Sequence, residues 1–241
     1  MVITPDTLQY NIILGLTLFI IFLKAVLLVY LGTKIWKRRQ EASFVAGDFM
    51  SGVFIMILGL MISRIFYFIF DFHYTQFNML LYPDAPQVWF WKMGQLVAGL
   101  GQVYLVYIID KKILGGKFKG IPALFMIVGL IILFVWPVRN LDDFGLVSGL
   151  SVFPQAPVLL LPIVFISLAI KGSGELRKTS AMMIGAILCI IIAALAVNAG
   201  LVTALNNMVG EDVDVYLYFL QSGLKTGGYL LLISASQKFQ M

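Results

Sequence analysis

The stretch VYLYFLQSGLKTGGYLLLISASQK, residues Val215–Lys238, decides the architecture, because it has the length and apolar character of a membrane-spanning helix. Lys225 stands near its middle, where an ionised amine costs roughly 3 kcal/mol or more to insert. We therefore expect this lysine to face the interior of a helix bundle. At helical spacing it shares a face with Tyr218, Gln221 and Tyr229, so the helix has one polar, aromatic side.

Two glycines on the same stretch, Gly223 and Gly227, are one helical turn apart. Pairs of small residues at this spacing allow the backbone of a neighbouring helix to approach closely in a membrane. We expect this side of the helix to form a helix–helix contact.

The composition of the whole chain agrees with this reading. Apolar residues make up 61% of the 241 residues, charged residues only 12%, and the mean hydropathy is +0.97, which is typical of an integral membrane protein. One cysteine, Cys189, and one histidine, His73, exclude an internal disulfide and a Cys/His metal cluster. The net charge of +5 resides mostly in short loops between apolar segments, so it predicts no nucleic-acid partner.

Seven apolar segments have the length of a membrane span. We therefore predict a single all-α domain over residues 1–241, a seven-transmembrane-helix bundle in the cell membrane, surrounded by the lipid bilayer. The N-terminal sequence has no basic region of the kind found in signal peptides, so we expect the first helix to be retained. The predicted spans are Leu8–Lys34, Phe44–Phe70, Val88–Ile109, Ile121–Pro137, Pro157–Ile170, Thr179–Leu205 and Val215–Ser236. The fifth is the shortest, and an earlier start near Leu146 stays open for it.

The distribution of charged residues among the loops predicts the orientation of the bundle. Lysine and arginine follow the first, third and fifth spans, whereas aspartate and glutamate occupy most of the other loops. Because cytoplasmic loops collect basic residues, we predict that the N-terminus is outside and the C-terminus inside. The basic residues behind this prediction are Lys34, Lys37, Arg38, Arg39, Lys111, Lys112, Lys117, Lys119, Lys171, Arg177 and Lys178.

The chain also shows a weak internal symmetry. Spans one to three and five to seven share their polarity order, and aligning them pairs Lys92 with Lys225 and Arg64 with Asn198. This pattern suggests a parallel 3+1+3 repeat, as in some small-solute transporters. A transporter is accordingly one alternative function, with Lys24, Asp48 and Asp110 as a gate on the inner side.

Polar and charged residues within the spans are the candidate ligand-binding residues, because such residues are costly in a membrane unless they have a function or a partner. We expect them to line an outer-half cavity with excess positive charge, which would suit a small anionic or lipid-like ligand. Two simpler interpretations stay open: Arg64 and Asp71 as a structural pair, and Lys92 or Lys24 reaching the lipid headgroups. The candidate residues are Arg64, Tyr67, Asp71, Lys92, Gln95, Asn198, Gln221 and Lys225.

The sequence carries no constellation of catalytic residues. His73 is in a predicted loop, no G-x-S-x-G motif is present, and no two carboxylates are predicted at the same membrane depth. We predict that the protein is not an enzyme and binds no metal.

The Gln221-x3-Lys225-x-Gly227 pattern, in a seventh span with the N-terminus outside, resembles the microbial rhodopsins. In that family the matching lysine carries retinal as a Schiff base, which would assign retinal to Lys225 as the one candidate cofactor. Gln221 stands where the family has an aspartate counterion.

A broader resemblance covers most of the chain. The segments RIFYFIFD, residues Arg64–Asp71, and LAIKGSGELRKTS, residues Leu168–Ser180, are similar to seven-transmembrane-helix modules of prokaryotic sensors, including the N-terminal regions of histidine kinases and stand-alone archaeal members. This resemblance implies a receptor or sensor that signals through a cytoplasmic or membrane partner protein at the inner loops. It is the function that we favour from the sequence, with the rhodopsin-like and transporter readings as alternatives.

Overall fold

A computed structural model describes residues 7–40, 48–196, 205, 208 and 213–238 of the chain. Within these residues the regular secondary structure is entirely helical. Two π-helical turns, Ile69–Tyr74 and Ile109–Ile113, extend the second and third helices, and short 3-10 helices cover Met79–Leu81 and Phe153–Leu159. The α-helices are α1 (Leu8–Arg39), α2 (Phe49–Phe68), α3 (Gln87–Ile108), α4 (Ile121–Val135), α5 (Leu141–Leu150), α6 (Leu160–Lys171), α7 (Gly174–Ala196) and α8 (Val213–Lys238).

Five helical segments of the described chain are long and apolar enough to cross a membrane. The predicted all-α class is therefore confirmed, and the composition of these helices indicates a membrane protein. The five segments are Leu8–Arg39, Phe49–Tyr74, Gln87–Ile113, Leu141–Lys171 and Gly174–Ala196.

Two of the seven predicted spans are not among these five. α4 has only 15 residues, so at a rise of about 1.5 Å per residue it is about 22 Å long, against a hydrocarbon core of about 30 Å. α8 has 26 residues, but polar residues such as Gln221 and Lys225 lower its mean hydropathy. A count of seven spans stays a prediction.

The fifth predicted span begins much earlier than its apolar run suggests. Helical structure starts at Leu141, where the Asn140 side chain accepts a hydrogen bond from the main-chain N–H of Asp143 at 2.8 Å. Such a side chain satisfies one of the free N–H groups at a helix start. Pro154 and Pro157 then fall in a 3-10 turn between α5 and α6, and the helical run continues to Lys171. The start at Pro157 is therefore too late, and the alternative start near Leu146 is five residues from the observed one.

Contacts within the chain divide it into two compact units, of which the larger is Lys24–Leu161. In this unit α2 and α3 lie antiparallel and in close contact. A Cβ added to Gly59 would stand 2.8 Å from the Val97 carbonyl oxygen, and one added to Gly101 would stand 3.1 Å from the Ile55 carbonyl oxygen. These glycines let the two backbones approach one another, as small residues do between membrane helices.

An aromatic cluster closes one end of the same unit. Phe70, Trp91 and Phe144 are buried together, with ring centroids of Trp91 and Phe144 4.9 Å apart. The Tyr82 ring lies 5.0 Å from that of Phe70. The cluster joins the end of α2, the start of α3 and the start of α5. It fixes this end of the unit beside the candidate site.

The other unit contains α1 up to Leu23 and the chain from Pro162 onward, in which α7 packs antiparallel against α8. The close contact is made by Gly228, where a Cβ would stand 3.1 Å from the Ala186 carbonyl oxygen. No described atom lies within 4 Å of a Cβ built on Gly223 or Gly227. The glycine pair chosen from the sequence is thus on the wrong side of α8 for its contact with α7.

Candidate functional site

Three predicted site residues come together on one face of the second span. Arg64 and Tyr67 lie on α2 and Asp71 on its π-helical extension, and both Tyr67 and Asp71 are near enough to Arg64 to interact with it electrostatically. Residues three, four and seven positions apart share a helix face, which is the reason that the spacing predicts this grouping. Arg64 is half-buried.

Lys24 belongs to the same cluster, although the sequence did not place it there. It is only 3% exposed, and its side-chain amine donates a hydrogen bond to the Leu60 carbonyl oxygen on α2 at 2.8 Å. It also interacts electrostatically with Arg64, one helical turn further along α2. Lys24 therefore points into the protein and does not reach the lipid headgroups. Because α1 extends to Arg39, this lysine lies at the centre of its helix.

Tyr67 forms the wall of the cluster towards α3. A Cβ added to Gly94 would stand 2.8 Å from the Tyr67 ring, so only a glycine at this position lets the ring lie against α3. The Tyr67 hydroxyl has the Ser63 side chain as its hydrogen-bond partner. The ring is therefore fixed on both sides, beside Arg64.

Lys92, a predicted ligand contact, makes structural hydrogen bonds to α4. Its amine donates hydrogen bonds to the carbonyl oxygens of Phe134, at 3.1 Å, and Trp136, and it lies 5.0 Å from the centroid of the Trp89 ring. The last carbonyls of a helix lack partners within the helix and carry partial negative charge. Lys92 thus caps the C-terminal end of α4. Since it is only 5% exposed, its amine contacts protein carbonyls and not lipid headgroups.

Lys92 and Gln95 border a small recess between α3 and α4. Its remaining walls are apolar, and its free volume of about 10 Å³ is that of roughly one water molecule, so it has no room for an acyl chain. Gln95 follows Gly94 in sequence but lies about 100° further round α3, so this recess faces α4, whereas the Gly94–Tyr67 contact faces α2. The apolar lining consists of Trp91, Leu96, Leu130, Leu133 and Phe134.

The remaining predicted site residues lie in the other unit. Gln221 is buried and Lys225 half-buried on α8, one turn apart on the same face. Asn198 lies outside the described residues. The Val215–Lys238 stretch contains no acidic residue, so it offers no counterion for a protonated retinal Schiff base on Lys225. The acidic residue of α8, Asp214, stands at the start of the helix, 11 positions before Lys225 and too far along it to be that counterion.

The inner-side charges proposed as a transporter gate all have structural contacts. Asp48 caps the start of α2 by accepting a hydrogen bond from the Ser51 N–H at 2.8 Å, and its carboxylate lies 3.9 Å from Arg38. Asp110 accepts two hydrogen bonds from the main chain of the following loop. Together with the Lys24 bond to Leu60, these contacts account for each of the three residues.

Buried polar atoms without a partner are a feature that sequence reasoning missed. In the part of the chain that the structure describes, the side-chain oxygens of Gln87, Gln102 and Ser180 are buried with no hydrogen bond. Among the described residues, no three or more His, Cys, Asp or Glu side chains lie together as a metal site.

No protein-family model, curated protein or solved structure matches the chain.

Proposed function

We propose that this chain is a non-enzymatic membrane receptor or sensor that binds a small anionic or lipid-like ligand beside Arg64. In this proposal the protein has seven transmembrane helices with its N-terminus outside and its C-terminus inside, so Arg64 lies in the outer half of its span. The ligand shifts helices, and a partner protein at the basic inner loops receives that shift. The resemblance of Arg64–Asp71 and Leu168–Ser180 to prokaryotic seven-helix sensor modules supports this class.

The observation that carries the proposal is the proximity of two basic side chains, Lys24 and Arg64, within the spans. Like charges repel strongly where water is scarce, because the effective dielectric constant is low. A carboxylate or phosphate between them would convert this repulsion into attraction. Arginine is well suited to such an anion, since its guanidinium group can donate two parallel hydrogen bonds.

Each residue of the cluster has a distinct part in this arrangement. Lys24, fixed by its bond to Leu60, supplies a stationary hydrogen-bond donor. The half-buried Arg64 is the direct ligand contact, Asp71 orients its guanidinium group, and the Tyr67 hydroxyl is a further donor. Gln95 borders the separate recess between α3 and α4, so the structure does not bring it to this cluster.

The arrangement of loops supports the proposed orientation. In the Lys24–Leu161 unit, the Arg38–Asp48 contact joins the end of α1 to the start of α2. A Cβ added to Gly52 would meet Leu105 and Ile108, so the end of α3 lies at the same place. The basic segments after α1 and after α3 therefore share one end of the unit, as expected for cytoplasmic loops.

The test is thermal unfolding of the purified full chain in the presence of octanoate, inorganic phosphate or the uncharged octanol. A ligand at a hundred times its Kd stabilises the folded state by about 2.7 kcal/mol. We expect octanoate to raise the unfolding temperature of the wild type and of Arg139→Gln, an exposed arginine control, but not of Arg64→Gln. Equal stabilisation by octanol, or full stabilisation of Arg64→Gln, would contradict the proposal.

A rhodopsin-like retinal protein is the second candidate, because Lys225 is half-buried at the middle of α8. The absence of an acidic residue from the Val215–Lys238 stretch makes it the weaker of the two. The 3+1+3 transporter reading rests on the sequence symmetry alone and would require solute uptake by proteoliposomes.

A further inference from the structure

The loop between α3 and α4 concentrates positive charge on an exposed surface. It runs from Lys111 to Gly120, and the side chains of its four lysines, Lys111, Lys112, Lys117 and Lys119, are exposed. Phe118, between the last two lysines, is 43% exposed. An exposed aromatic ring among lysines is typical of a surface that contacts a membrane.

Asp110 holds this loop in a defined shape. One oxygen of its carboxylate accepts a hydrogen bond from the Phe118 N–H at 3.0 Å, and the other accepts one from the Gly120 N–H at 2.7 Å. Its main-chain carbonyl accepts a third, from the Gly116 N–H at 2.8 Å. Gly116 and Gly120 have φ values of 74° and 78°, which glycine adopts without steric cost. We call residues 111–120, held in this way, the Asp110 loop.

The Asp110 loop leads directly into α4, whose exposed side chains are apolar. On α4, Leu124 is 60% exposed, Phe125 54% and Val128 49%, and such side chains require a lipid environment. Ile121, the first residue of α4, is also exposed. The lysines that precede it are therefore at the level of the lipid headgroups, within reach of phosphate oxygens.

We propose that the Asp110 loop is a binding site for the headgroups of anionic phospholipids in the membrane that the helices cross. The lysines supply the charge, Phe118 contacts the acyl boundary, and Asp110 spaces the lysines by fixing the main chain. A lipid is favoured over a partner protein because the loop adjoins the exposed apolar side chains of α4. The site is separate from the Arg64 cluster and does not depend on the function proposed above.

The shape of the Asp110 loop and its total positive charge predict opposite effects of one substitution on lipid binding. Asp110→Asn makes the loop more positive, but the amide has only one acceptor oxygen and cannot accept both hydrogen bonds. If charge alone attracted the lipids, this variant would bind them more tightly. If the shape of the loop matters, it binds them more weakly.

The experiment measures binding of phosphatidylglycerol and phosphatidylcholine to the full chain by native mass spectrometry. Removing one lysine near an anionic surface is expected to weaken binding on the order of fivefold. We expect Lys117→Gln/Lys119→Gln, which removes two lysines, to weaken phosphatidylglycerol binding by about 25-fold, and Asp110→Asn to weaken it although it adds positive charge. The matched control, Lys34→Gln/Lys37→Gln, removes the same charge from the end of α1 and is expected to have a smaller effect.

Three results would overturn the proposal. Tighter or unchanged binding by Asp110→Asn would show that the loop shape is irrelevant. Equal losses of phosphatidylglycerol binding in Lys117→Gln/Lys119→Gln and in Lys34→Gln/Lys37→Gln would show that positive charge attracts the lipid without a specific binding site. Equal affinity of the wild type for both lipids would assign the lysines to a protein partner. The unfolding temperatures of all variants show whether they fold. If Asp110→Asn does not fold, Lys117→Gln/Lys119→Gln still tests the site.

Discussion

The side-chain amine of Lys92 donates a hydrogen bond to the main-chain carbonyl oxygen of Phe134, 3.1 Å away at the C-terminal end of α4. α4 is shorter than the hydrocarbon core of a bilayer, and a carbonyl group without a partner there costs several kcal/mol. Lys24 makes a similar bond to the Leu60 carbonyl in the middle of α2. Lys92 thus satisfies a carbonyl group at a helix end, whereas Lys24 makes an additional bond to a carbonyl group within a helix.

Replacing Lys92 by methionine is expected to destabilise the protein by about 2 kcal/mol, the contribution of hydrogen bonds to a charged group. Methionine keeps most of the side-chain volume but donates no hydrogen bond to Phe134 or Trp136. The measurement is denaturant unfolding in detergent. Lys111→Met removes an exposed lysine as a control and should change the stability by less than about 0.5 kcal/mol. A Lys92→Met protein as stable as the control would show that the cap contributes nothing.

The glycines of α2 and α8 give opposite predictions for the same substitution. Gly59→Ala should destabilise the protein by about 1–3 kcal/mol, because the added methyl group would lie 2.8 Å from the Val97 carbonyl oxygen. Gly223→Ala meets no described atom within 4 Å and should be neutral or stabilising by up to about 1 kcal/mol, the difference in helix propensity. Thermal unfolding compares the two. Similar losses in both would mean that Gly223 has a close neighbour.

Retinal should not form a covalent adduct with this protein if Lys225 is a ligand contact or a buried structural charge. An absorption spectrum of the purified chain with all-trans retinal is expected to show only free retinal, both for the wild type and for Lys225→Ala. A band that forms in the wild type and disappears in the variant would establish Lys225 as the Schiff-base lysine. The proposed receptor function would then give way to the rhodopsin-like alternative.

The features that the sequence predicted correctly depend on local periodicity. The all-α class follows from long apolar segments, and the grouping of Arg64, Tyr67 and Asp71 follows from their spacing on one helix. The features that it missed depend on contacts between distant segments. The role of Lys92 follows from the place where α4 ends, more than 40 residues later. Which glycine of α8 contacts α7 likewise depends on how the two helices face each other.

The central claim is that an anion binds beside Lys24 and Arg64, and photolabelling tests it most directly. The probe is an octanoate analogue with a diazirine next to its carboxylate, applied to the full chain in phosphatidylcholine vesicles and mapped by mass spectrometry. We predict adducts on α1 near Lys24 and on α2 near Arg64, which excess octanoate removes and octanol does not. Labels confined to lipid-facing residues such as Leu124 and Phe125, or labels that octanoate fails to displace, would contradict the account.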